Sequence, residues 1–574
     1  MAGRLYKLDM KLLRRFITVA KPYWVSREKW KAAPLLAILA ALLFGETWFN
    51  VSFNEQQGEF TSALAAMDAP RFWHSIRTFC GLLVVAVPIF SFYYYLRDRL
   101  AINWRRWLTF RLLGRYFENH AFYRLADEPD IDNPDQRIAE DISYFTRESL
   151  RFLLIFGGAA VELAAFSKVL WSISPSLVFF VSLYAAAGTF VTLRVFGVKM
   201  VALQSAQLKR EADFRFALVR IRENAESIAL YHGEMQELSQ VKVRFGKVYA
   251  NFDKLIRWTL RFSFFYYFYN LFTLALPSII LAPRVLSGEI ELGRVVQAAG
   301  AFTAILGALT LVVDNLENLS RFTAGIGRLD AFIRFLSPRK SEPLPGRGKI
   351  VTRESATLSF EDVTLQTPNY ERTLVTGLTF SAPSGSGLLI VGPSGCGKSS
   401  LLRAMAGLWD SGGGAIERPK ADDLLFVPQH AYMILGSLRG QLCYPNIERE
   451  VPDAELEDVL ARVNLPDLAA RCGGFDAELD FEKVLSVGER QRLAMARVLL
   501  KRPLYALLDE STSALDPANE AAMFRQLAET STTLISVGHH PSLLKYHAQV
   551  LELTGDGGWR LHQASGFHFT EELK

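Results

Sequence analysis

Six apolar stretches, each close to twenty residues long, constrain the fold of this chain more than any other feature. They cover residues 34–51, 79–96, 152–173, 177–198, 262–281 and 295–313. A helix of ~20 apolar residues crosses the ~30 Å hydrocarbon core of a bilayer. Charged connections separate the stretches, so buried core helices of a water-soluble protein are a poor alternative. The sequence therefore predicts six transmembrane helices in a lipid bilayer.

The composition agrees with this prediction and excludes other classes. Half of the residues are hydrophobic and the mean hydropathy is +0.14, which is high for a water-soluble protein. The net charge of +5 is too small to indicate a nucleic-acid partner. The cysteines (Cys80, Cys396, Cys443 and Cys472) are scattered, so they indicate neither a disulfide framework nor a zinc site, and they fit a reducing cytoplasmic side.

The distribution of basic residues predicts the orientation in the membrane. Residues 1–31 contain nine lysines or arginines against two acids. The connections at 97–151 and 199–261 contain ten and twelve basic residues, while the other connections are short or of mixed charge. Basic connections stay on the cytoplasmic side, so we expect the N-terminus and both long loops to be cytoplasmic. Both loops have helical character, so the spanning helices should continue beyond the bilayer.

The N-terminal segment has the pattern of an amphipathic helix. Its apolar residues at helical spacing are Leu8, Leu12, Phe16, Val19 and Tyr23. Such a basic helix lies in the membrane interface, or it packs on protein as an ordinary helix, and the sequence leaves both open. We predict four segments: an elbow helix at 1–33, a transmembrane domain at 34–338, a linker at 339–350 and a soluble α/β domain at 351–574.

A phosphate-binding loop marks the α/β domain. Residues 392–399 fit the pattern G-x-x-x-x-G-K-S/T. The candidate ATP-binding residues here are Gly392, Pro393, Ser394, Gly395, Cys396, Gly397, Lys398, Ser399 and the following Ser400. An apolar run precedes the loop and a helical pattern follows it. Glycines let backbone N–H groups turn toward phosphates, Lys398 can reach the β- and γ-phosphates, and the Ser399 hydroxyl can hold Mg²⁺. A chance Gly-rich turn is a weak alternative.

Two acids follow a second apolar run. Residues 504–508 predict a buried strand, and Asp509 and Glu510 come directly after it. The position of Asp509 is suitable for binding Mg²⁺, and that of Glu510 is suitable for polarising an attacking water. A simple turn ending in two acids is the alternative.

Four further segments resemble the motifs of ATP-binding-cassette (ABC) proteins. Residues 485–489 resemble the signature sequence, with Val487 and Glu489 departing from its usual form. Gln429 resembles the glutamine of the Q-loop, residues 513–516 resemble the D-loop, and His539 resembles the switch histidine. Taken alone, a single histidine after a strand is more often structural. The motifs follow the order that this family has.

This resemblance implies an ATPase with ATP and Mg²⁺ as cofactors. Catalysis would involve Glu510, His539 and Gln429, and Mg²⁺ would be held by Ser399, Gln429 and Asp509. The signature residues Ser486, Gly488 and Glu489 would bind ATP across a dimer, because family members oppose the phosphate loop of one cassette with the signature of another. One chain has one of each, so a homodimer is expected. At the usual adenine-stacking position stands Thr367, and Tyr370 is the expected substitute.

The resemblance extends over nearly the whole chain. Residues 133–138 and 222–234 are similar to segments of the subfamily D acyl-CoA half-transporters of peroxisomes. Residues 21–24, the region of Trp107, and residues 407–409 and 485–490 look closer to bacterial SbmA/BacA-like fused permease–ATPases, some of which are associated with uptake of vitamin B12 or peptides. This implies a multi-domain membrane protein of the bacterial inner membrane: an all-α, six-helix transmembrane domain with an exporter-like fold, fused to an α/β ATPase.

The resemblance leaves the substrate and the direction of transport open. Import of a hydrophilic or amphipathic small molecule or peptide is the preferred hypothesis. Export of a hydrophobic or acyl compound is the alternative, and an ATP-gated channel or regulatory subunit is a weaker one.

Charged residues suggest two further sites in the membrane domain. Glu46, Glu162 and Lys168 lie within apolar stretches, where a charge is costly unless it faces water or protein, so they are candidates for a substrate cavity. The alternative is that each side chain snorkels to the interface. Glu226 and Gly233, in the second loop, are candidates for coupling hydrolysis to transport, unless this segment is a solvated turn.

Overall fold

The computed structural model describes residues 10–125, 131, 133–337, 348–445, 447 and 449–569. The chain divides into two compact units, Met1–Arg339 and Lys340–Lys574. Each unit is described by itself below. Leu8 and most of the expected linker at 339–350 lie outside the described residues.

The N-terminal unit is helical in its described residues. Its α-helices are α1 (Met10–Val25), α2 (Lys29–Ala65), α3 (Ala69–Phe117), α4 (Ala121–Leu125), α5 (Pro134–Gln136), α6 (Ile142–Ile173), α7 (Pro175–Val191), α8 (Val198–Glu223), α9 (Ala225–Leu230), α10 (Glu234–Leu286), α11 (Leu292–Asp314) and α12 (Leu316–Leu336). Short π-helical turns at Arg137–Asp141 and Thr192–Gly197 join α5 to α6 and α7 to α8.

Six helical segments of the described chain are long and apolar enough to cross a membrane, which confirms the predicted architecture. They are Lys29–Ala65, Ala69–Leu125, Pro134–Ile173, Pro175–Glu223, Glu234–Leu286 and Leu292–Leu311. Each expected stretch overlaps one of them. Helix α10 has 53 residues, or ~80 Å at 1.5 Å per residue, so it extends well beyond a bilayer.

The N-terminal helix α1 packs on protein along its apolar face. Val19 and Tyr23 are fully buried. The Tyr23 ring stacks on Trp104 of α3 with 5.4 Å between ring centroids. Arg15 forms a 3.5 Å ion pair with Asp330 of α12. For this face, the structure therefore favours the packed helix over one whose apolar side enters lipid.

The C-terminal unit contains two main β-sheets. Its strands are β1 (Val351–Glu354), β2 (Leu358–Gln366), β3 (Thr373–Ala382), β4 (Leu388–Val391), β5 (Gly412–Arg418), β6 (Leu424–Val427), β7 (Gly436–Ser437), β8 (Glu478–Leu479), β9 (Tyr505–Asp509), β10 (Thr533–Val537), β11 (Gln549–Leu553) and β12 (Trp559–Gln563). One sheet has the order β1-β5-β2-β3 and the other β12-β11-β4-β10-β9-β6. Strands β7 and β8 form a separate pair.

Helices pack around the larger sheet and cover its core. They are α13 (Lys398–Met405), α14 (Leu438–Leu442), α15 (Asp453–Arg462), α16 (Leu468–Arg471), α17 (Phe481–Val484), α18 (Val487–Lys501) and α19 (Pro517–Ala528). Strands β4, β9 and β10 are buried at every position, as expected for parallel strands covered on both faces. From β11 to β6 the neighbouring strands are parallel, so their carboxyl ends share one edge.

Candidate functional site

The shared edge of the larger sheet brings the predicted catalytic segments together. The phosphate loop follows β4, Asp509 ends β9, and His539 comes two residues after β10. Val537 of β10 pairs with Asp509 on one side and with Ile390 of β4 on the other. Open parallel sheets bind ligands at the carboxyl ends of their strands. Register pairing thus places distant parts of the chain around one site.

The phosphate loop has a backbone that requires glycine. Gly392 has φ of 151°, and a Cβ there would lie 2.5 Å from the carbonyl oxygen of Leu553. Gly397 has φ of 104° and caps α13 without a side-chain hydrogen bond to the helix. The first N–H groups of α13 therefore carry no side-chain cap, and an oriented row of this kind attracts phosphate. The loop fits the phosphates of ATP.

Lys398 and Ser399 both make hydrogen bonds at the phosphate loop, and their roles toward phosphate and Mg²⁺ stay predictions. The Lys398 ammonium donates to the carbonyl oxygens of Gly392 and Pro393, at 2.8 and 3.0 Å. The Ser399 hydroxyl donates to Asp509 Oδ1 at 2.8 Å. A hydroxyl beside a carboxylate is the kind of hard-oxygen pair that Mg²⁺ prefers, so the residues fit this ion. Burial raises the pKa of Asp509, and a bound cation would oppose that rise.

The amide of Gln429 contacts the second acid. Its Nε2 donates to Glu510 Oε2 at 3.0 Å, although 81 residues separate the two. Glu510 has φ of 45°, in the left-handed region that non-glycine residues rarely adopt. Its N–H donates to the carbonyl of Val537 at 3.2 Å. The strained backbone and this bond together hold the carboxylate just beyond the end of β9.

The signature segment begins helix α18 with a capping box. The N–H of Glu489 donates to Ser486 Oγ, and the N–H of Ser486 donates to Glu489 Oε2 at 2.9 Å. Arg471 also donates to Glu489, at 2.7 Å. Burial raises the pKa of Glu489, but hydrogen bonds from Arg471 and Ser486 outweigh it and hold the pKa below its usual value. The glutamate that departs from the family pattern therefore stabilises the helix start.

Buried Gln491 joins three of the motifs, a link that the sequence does not reveal. Its Nε2 donates to the carbonyl of Gln429 at 3.3 Å and to Ser513 Oγ at 3.5 Å. Its Oε1 accepts from the N–H of Ala514 at 3.0 Å. One side chain thus connects the signature helix to the Q-loop and D-loop segments.

Glu520 is a second residue that sequence reasoning missed. It is 3% exposed and accepts hydrogen bonds from Thr512 and Ser542. His540 Nδ1 lies 3.0 Å from its Oε2. The His540 ring packs edge-on against that of His539, with centroids 4.5 Å apart. The two consecutive histidines at 539–540 are the sequence feature that could have indicated this arrangement. The resemblance to ABC proteins assigns a role to His539 but none to His540.

The residues expected near adenine are held in a turn of the smaller sheet. The N–H of Tyr370 donates to the carbonyl of Thr367 at 2.8 Å. Tyr370 has φ of 61°, and its hydroxyl donates to the carbonyl of Gly348 at 3.0 Å. The stacking of adenine on Tyr370 stays a prediction.

In the N-terminal unit, two of the three candidate charges line a cavity of about 390 Å³ among α2, α3, α6 and α11. Glu46 and Glu162 belong to its wall, together with Tyr93 and two arginines. Asn50 Nδ2 donates to Glu162 Oε1 at 2.9 Å. Lys168 is exposed and lies outside this lining.

The candidate coupling segment is a short exposed helix. Glu226 lies in the first turn of α9 and is exposed. Gly233 both closes α9, by donating its N–H to the carbonyl of Ile228 at 2.9 Å, and caps the start of α10. The left-handed residue after α9 is His232, with φ of 53°, rather than the glycine. The coupling role of this segment stays a prediction.

Comparison with known families covers both units. Residues 20–286 match the description "ABC transporter transmembrane region 2", and residues 375–513 match "ABC transporter". The second match includes the phosphate loop, Gln429, the signature segment and the acids Asp509 and Glu510.

Known proteins are similar along nearly the whole chain. An ABC transporter ATP-binding protein of Synechocystis is 44% identical over 93% of this chain and 82% of its own. The chloroplastic ABC transporter D family member 2 of Arabidopsis thaliana is 37% identical over 96% of this chain and 88% of its own. The lysosomal cobalamin transporter ABCD4 of Mus musculus is 30% identical over 98% of either chain.

A solved structure has the same fold. A bacterial Atm1-family ABC exporter with ATP bound covers 94% of this chain and 97% of its own, with a TM-score of 0.72. Its sequence identity is 18%, so this likeness concerns the fold alone. The expected exporter-like arrangement, six helices fused to an α/β nucleotide-binding domain, is confirmed.

Proposed function

Because the chain belongs to the ABC transporter family, as a half-size member homologous to the D-family transporters, we propose that it acts as a homodimer that imports a hydrophilic or amphipathic compound. It is an integral membrane protein that hydrolyses ATP and couples the hydrolysis to transport. The homodimer, the import direction and the substrate class are our additions to this family assignment.

The chemistry of the proposed cycle follows from the sheet edge. The loop N–H groups and Lys398 bind the phosphates. Ser399 and Asp509 would hold Mg²⁺, which would neutralise phosphate charge when bound. Glu510 polarises the attacking water, while Gln429 fixes its carboxylate at 3.0 Å. His539 contacts the γ-phosphate. Ser486 and Gly488 of a second copy complete the site, because one chain supplies one phosphate loop and one signature.

The observation that carries the substrate proposal is the polar cavity among the spanning helices. A volume of about 390 Å³ suits a small molecule or a short peptide. Its wall combines carboxylates, arginines and tyrosines with aliphatic side chains such as Leu43 and Leu154, which suits an amphipathic compound rather than a bare hydrocarbon tail. The similarity to a cobalamin transporter agrees with a polar substrate.

The charges of the wall refine the substrate class. Arg97 is paired with Asp98 at 2.9 Å and Arg151 with Glu148 at 3.2 Å, so each arginine already has an acidic partner. Among the described residues, no lysine or arginine lies within ion-pair distance of Glu46 or Glu162. Carboxylates beside aromatic rings suit an ammonium or guanidinium group. We therefore favour a substrate that carries at least one cationic group.

Glu226 and Gly233 are proposed to transmit the cycle to the membrane helices. They lie between α8 and α10, two long helices that run from the membrane-spanning segments. The basic N-terminus and loops support a cytoplasmic position for this segment and for the ATPase, with the bacterial inner membrane as the location.

Reconstitution into proteoliposomes tests the proposal. ATP added outside the vesicles drives only those transporter molecules whose ATPase domain faces outward. For these molecules the outside corresponds to the cytoplasm, so an importer empties the lumen and an exporter fills it. Three labelled compounds should be compared, each loaded or added outside: cobalamin, a cationic Pro-rich peptide and an acyl-CoA. We expect ATP-dependent release of the peptide or of cobalamin, and no release by Glu510→Gln. Accumulation of acyl-CoA inside would support the exporter alternative, and equilibration without a gradient would support a channel.

A further inference from the structure

The segments that carry Glu510 and His539 meet at one buried carboxylate. The Glu520 side chain is 5% exposed and projects from the first turn of α19. Thr512 Oγ1 donates to its Oε1 at 2.8 Å, and Ser542 Oγ donates to its Oε2 at 3.2 Å. His540 Nδ1 lies 3.0 Å from the same Oε2. Two segments, one containing Thr512 and the other His540 and Ser542, thus converge on Glu520.

Each bonded neighbour of Glu520 is close to a proposed catalytic residue. Thr512 is two positions after Glu510 and lies in the turn where the N–H of Ser513 donates to the Glu510 carbonyl at 3.1 Å. His540 directly follows His539, and their rings pack edge-on at 4.5 Å. A movement of Glu520 would therefore reach Glu510 through the hydrogen bond to Thr512, and it would reach His539 through the ring contact with His540.

A small hollow lies between these groups. It has a volume of about 20 Å³ and is bordered by Glu510, Glu520, His539 and His540, among others. A hollow of this size holds about one water molecule. Glu510 and Glu520 thus border the same small space, so a change at Glu520 alters the surroundings of Glu510.

We propose that Glu520 is a positioning residue for ATP hydrolysis, which holds His540 and Thr512 so that His539 and Glu510 face the same nucleotide. It touches neither nucleotide nor reacting water in this role. Its neighbours all present hydrogen-bond donors, so the site calls for an acceptor with two charged oxygens. No lysine or arginine of the described chain lies within ion-pair distance of Glu520, so the His540 ring is the nitrogen-bearing group that faces its carboxylate.

The inference rests on the roles proposed for Glu510 and His539, and the experiment separates the two. Full-length protein in lipid nanodiscs would be assayed for ATPase kcat, KM for ATP, affinity for a fluorescent ATP analogue and thermal midpoint. Glu510→Gln, measured alongside, tests the catalytic assignment itself. Parental hydrolysis by that variant would reject the assignment, whatever Glu520 does.

Glutamine has nearly the same size as glutamate, but in Glu520→Gln an amide N–H₂ group would face the hydrogen-bond donors that surround this position. We expect kcat to fall about 10-fold, which is the lower end of the losses seen when a residue that orients a functional group is removed. The KM for ATP should stay within about 2-fold of the parental value. The matched control is Glu552→Gln, which removes another Glu–His pair, the one formed at 2.8 Å with His562 of the outer strand β12. It should retain parental kcat.

Variants of His540 keep the test decisive if Glu520→Gln folds poorly, because the His540 side chain is 43% exposed. His540→Leu should lower kcat as much as Glu520→Gln does. His540→Arg places a planar N–H donor at this position and should retain kcat within about 3-fold. The double variant Glu520→Gln/His540→Leu should be no slower than the slower single variant, because the two residues act as a unit.

Three results would overturn the proposal. One is parental kcat in folded Glu520→Gln or His540→Leu. Another is failure of His540→Arg to exceed His540→Leu. The third is a loss confined to thermal midpoint or to ATP affinity, which would make Glu520 a structural residue or a binding residue instead.

Discussion

The Ser399 hydroxyl donates a 2.8 Å hydrogen bond to Asp509, although the two residues are 110 positions apart. This bond joins the first turn of α13 to the end of β9 and defines where a cation would sit between the phosphate loop and the catalytic acids. Both residues are outside the membrane-spanning helices, so the contact can be tested in ATPase assays.

The first prediction concerns the Mg²⁺ requirement. Ser399→Ala removes the hydroxyl ligand and leaves Asp509 without its 2.8 Å donor. The Mg²⁺ concentration for half-maximal ATPase activity should rise about 10-fold, at the scale of losing one group at a metal site. The control is Ser381→Ala, an exposed serine of β3. An unchanged Mg²⁺ dependence in Ser399→Ala would remove this residue from the metal site.

The second prediction concerns access to the cavity. Cys80 is exposed, so the measurement starts from Cys80→Ser. Cysteines placed at Glu46 and at Glu162 should react with a water-soluble maleimide, and a bound substrate should slow the reaction. A cysteine at Lys168, outside the cavity lining, should gain no such protection. Complete resistance at positions 46 and 162 in every nucleotide state would count against a water-accessible cavity.

The third prediction concerns coupling. Glu226→Lys reverses a charge in exposed α9, so transport should fall by at least ~10-fold more than basal ATPase activity, with the fold intact. The control is Glu223→Lys, an exposed glutamate at the end of α8. Equal losses of both activities would indicate misfolding or a catalytic effect. Normal transport would exclude the segment from the mechanism.

The fourth prediction concerns acid stability. His547 is buried, and its ring nitrogens contact the Leu543 carbonyl and Ser536 Oγ at 2.8 and 2.9 Å. Burial lowers the pKa of His547 to about 4. A lowered folded-state pKa means that its contribution to stability is complete above the ordinary value of 6.5 and is lost as the pH falls toward 4.

The thermal midpoint of the C-terminal unit, followed by calorimetry, should therefore decline between pH 6.5 and 4. The full effect is of order 3 kcal/mol, since one pKa unit corresponds to about 1.4 kcal/mol. In His547→Phe this part of the decline should disappear, whatever the variant's stability at pH 7. An identical slope in both proteins would refute the assignment to His547.

The membrane architecture could be predicted because it depends on local properties. An apolar run of sufficient length spans a bilayer wherever it lies in the chain, and all six expected stretches overlap candidate spans. The phosphate loop could be predicted for the same reason, since glycine spacing alone dictates its backbone. Gly392 and Gly397 adopt positive φ, as that spacing requires.

Contacts made by tertiary folding could not be predicted. Glu520 looks like an ordinary helical glutamate in the sequence, and only the packing of α19 brings it to Thr512 and His540. The pairing of Arg97 and Arg151 with acids of their own helices was equally hidden, because i+1 and i+3 neighbours often fail to pair. These contacts decide which charges of the cavity are left to bind a substrate.

The central claim, that hydrolysis at Glu510 drives transport, is tested most directly by one measurement. Glu510→Gln keeps the hydrogen bond to water but polarises it poorly, so it should bind ATP normally while hydrolysis falls at least ~10²-fold. In proteoliposomes loaded with the substrate, ATP-dependent release should fall by the same factor. Release at the parental rate, with or without hydrolysis, would contradict the account.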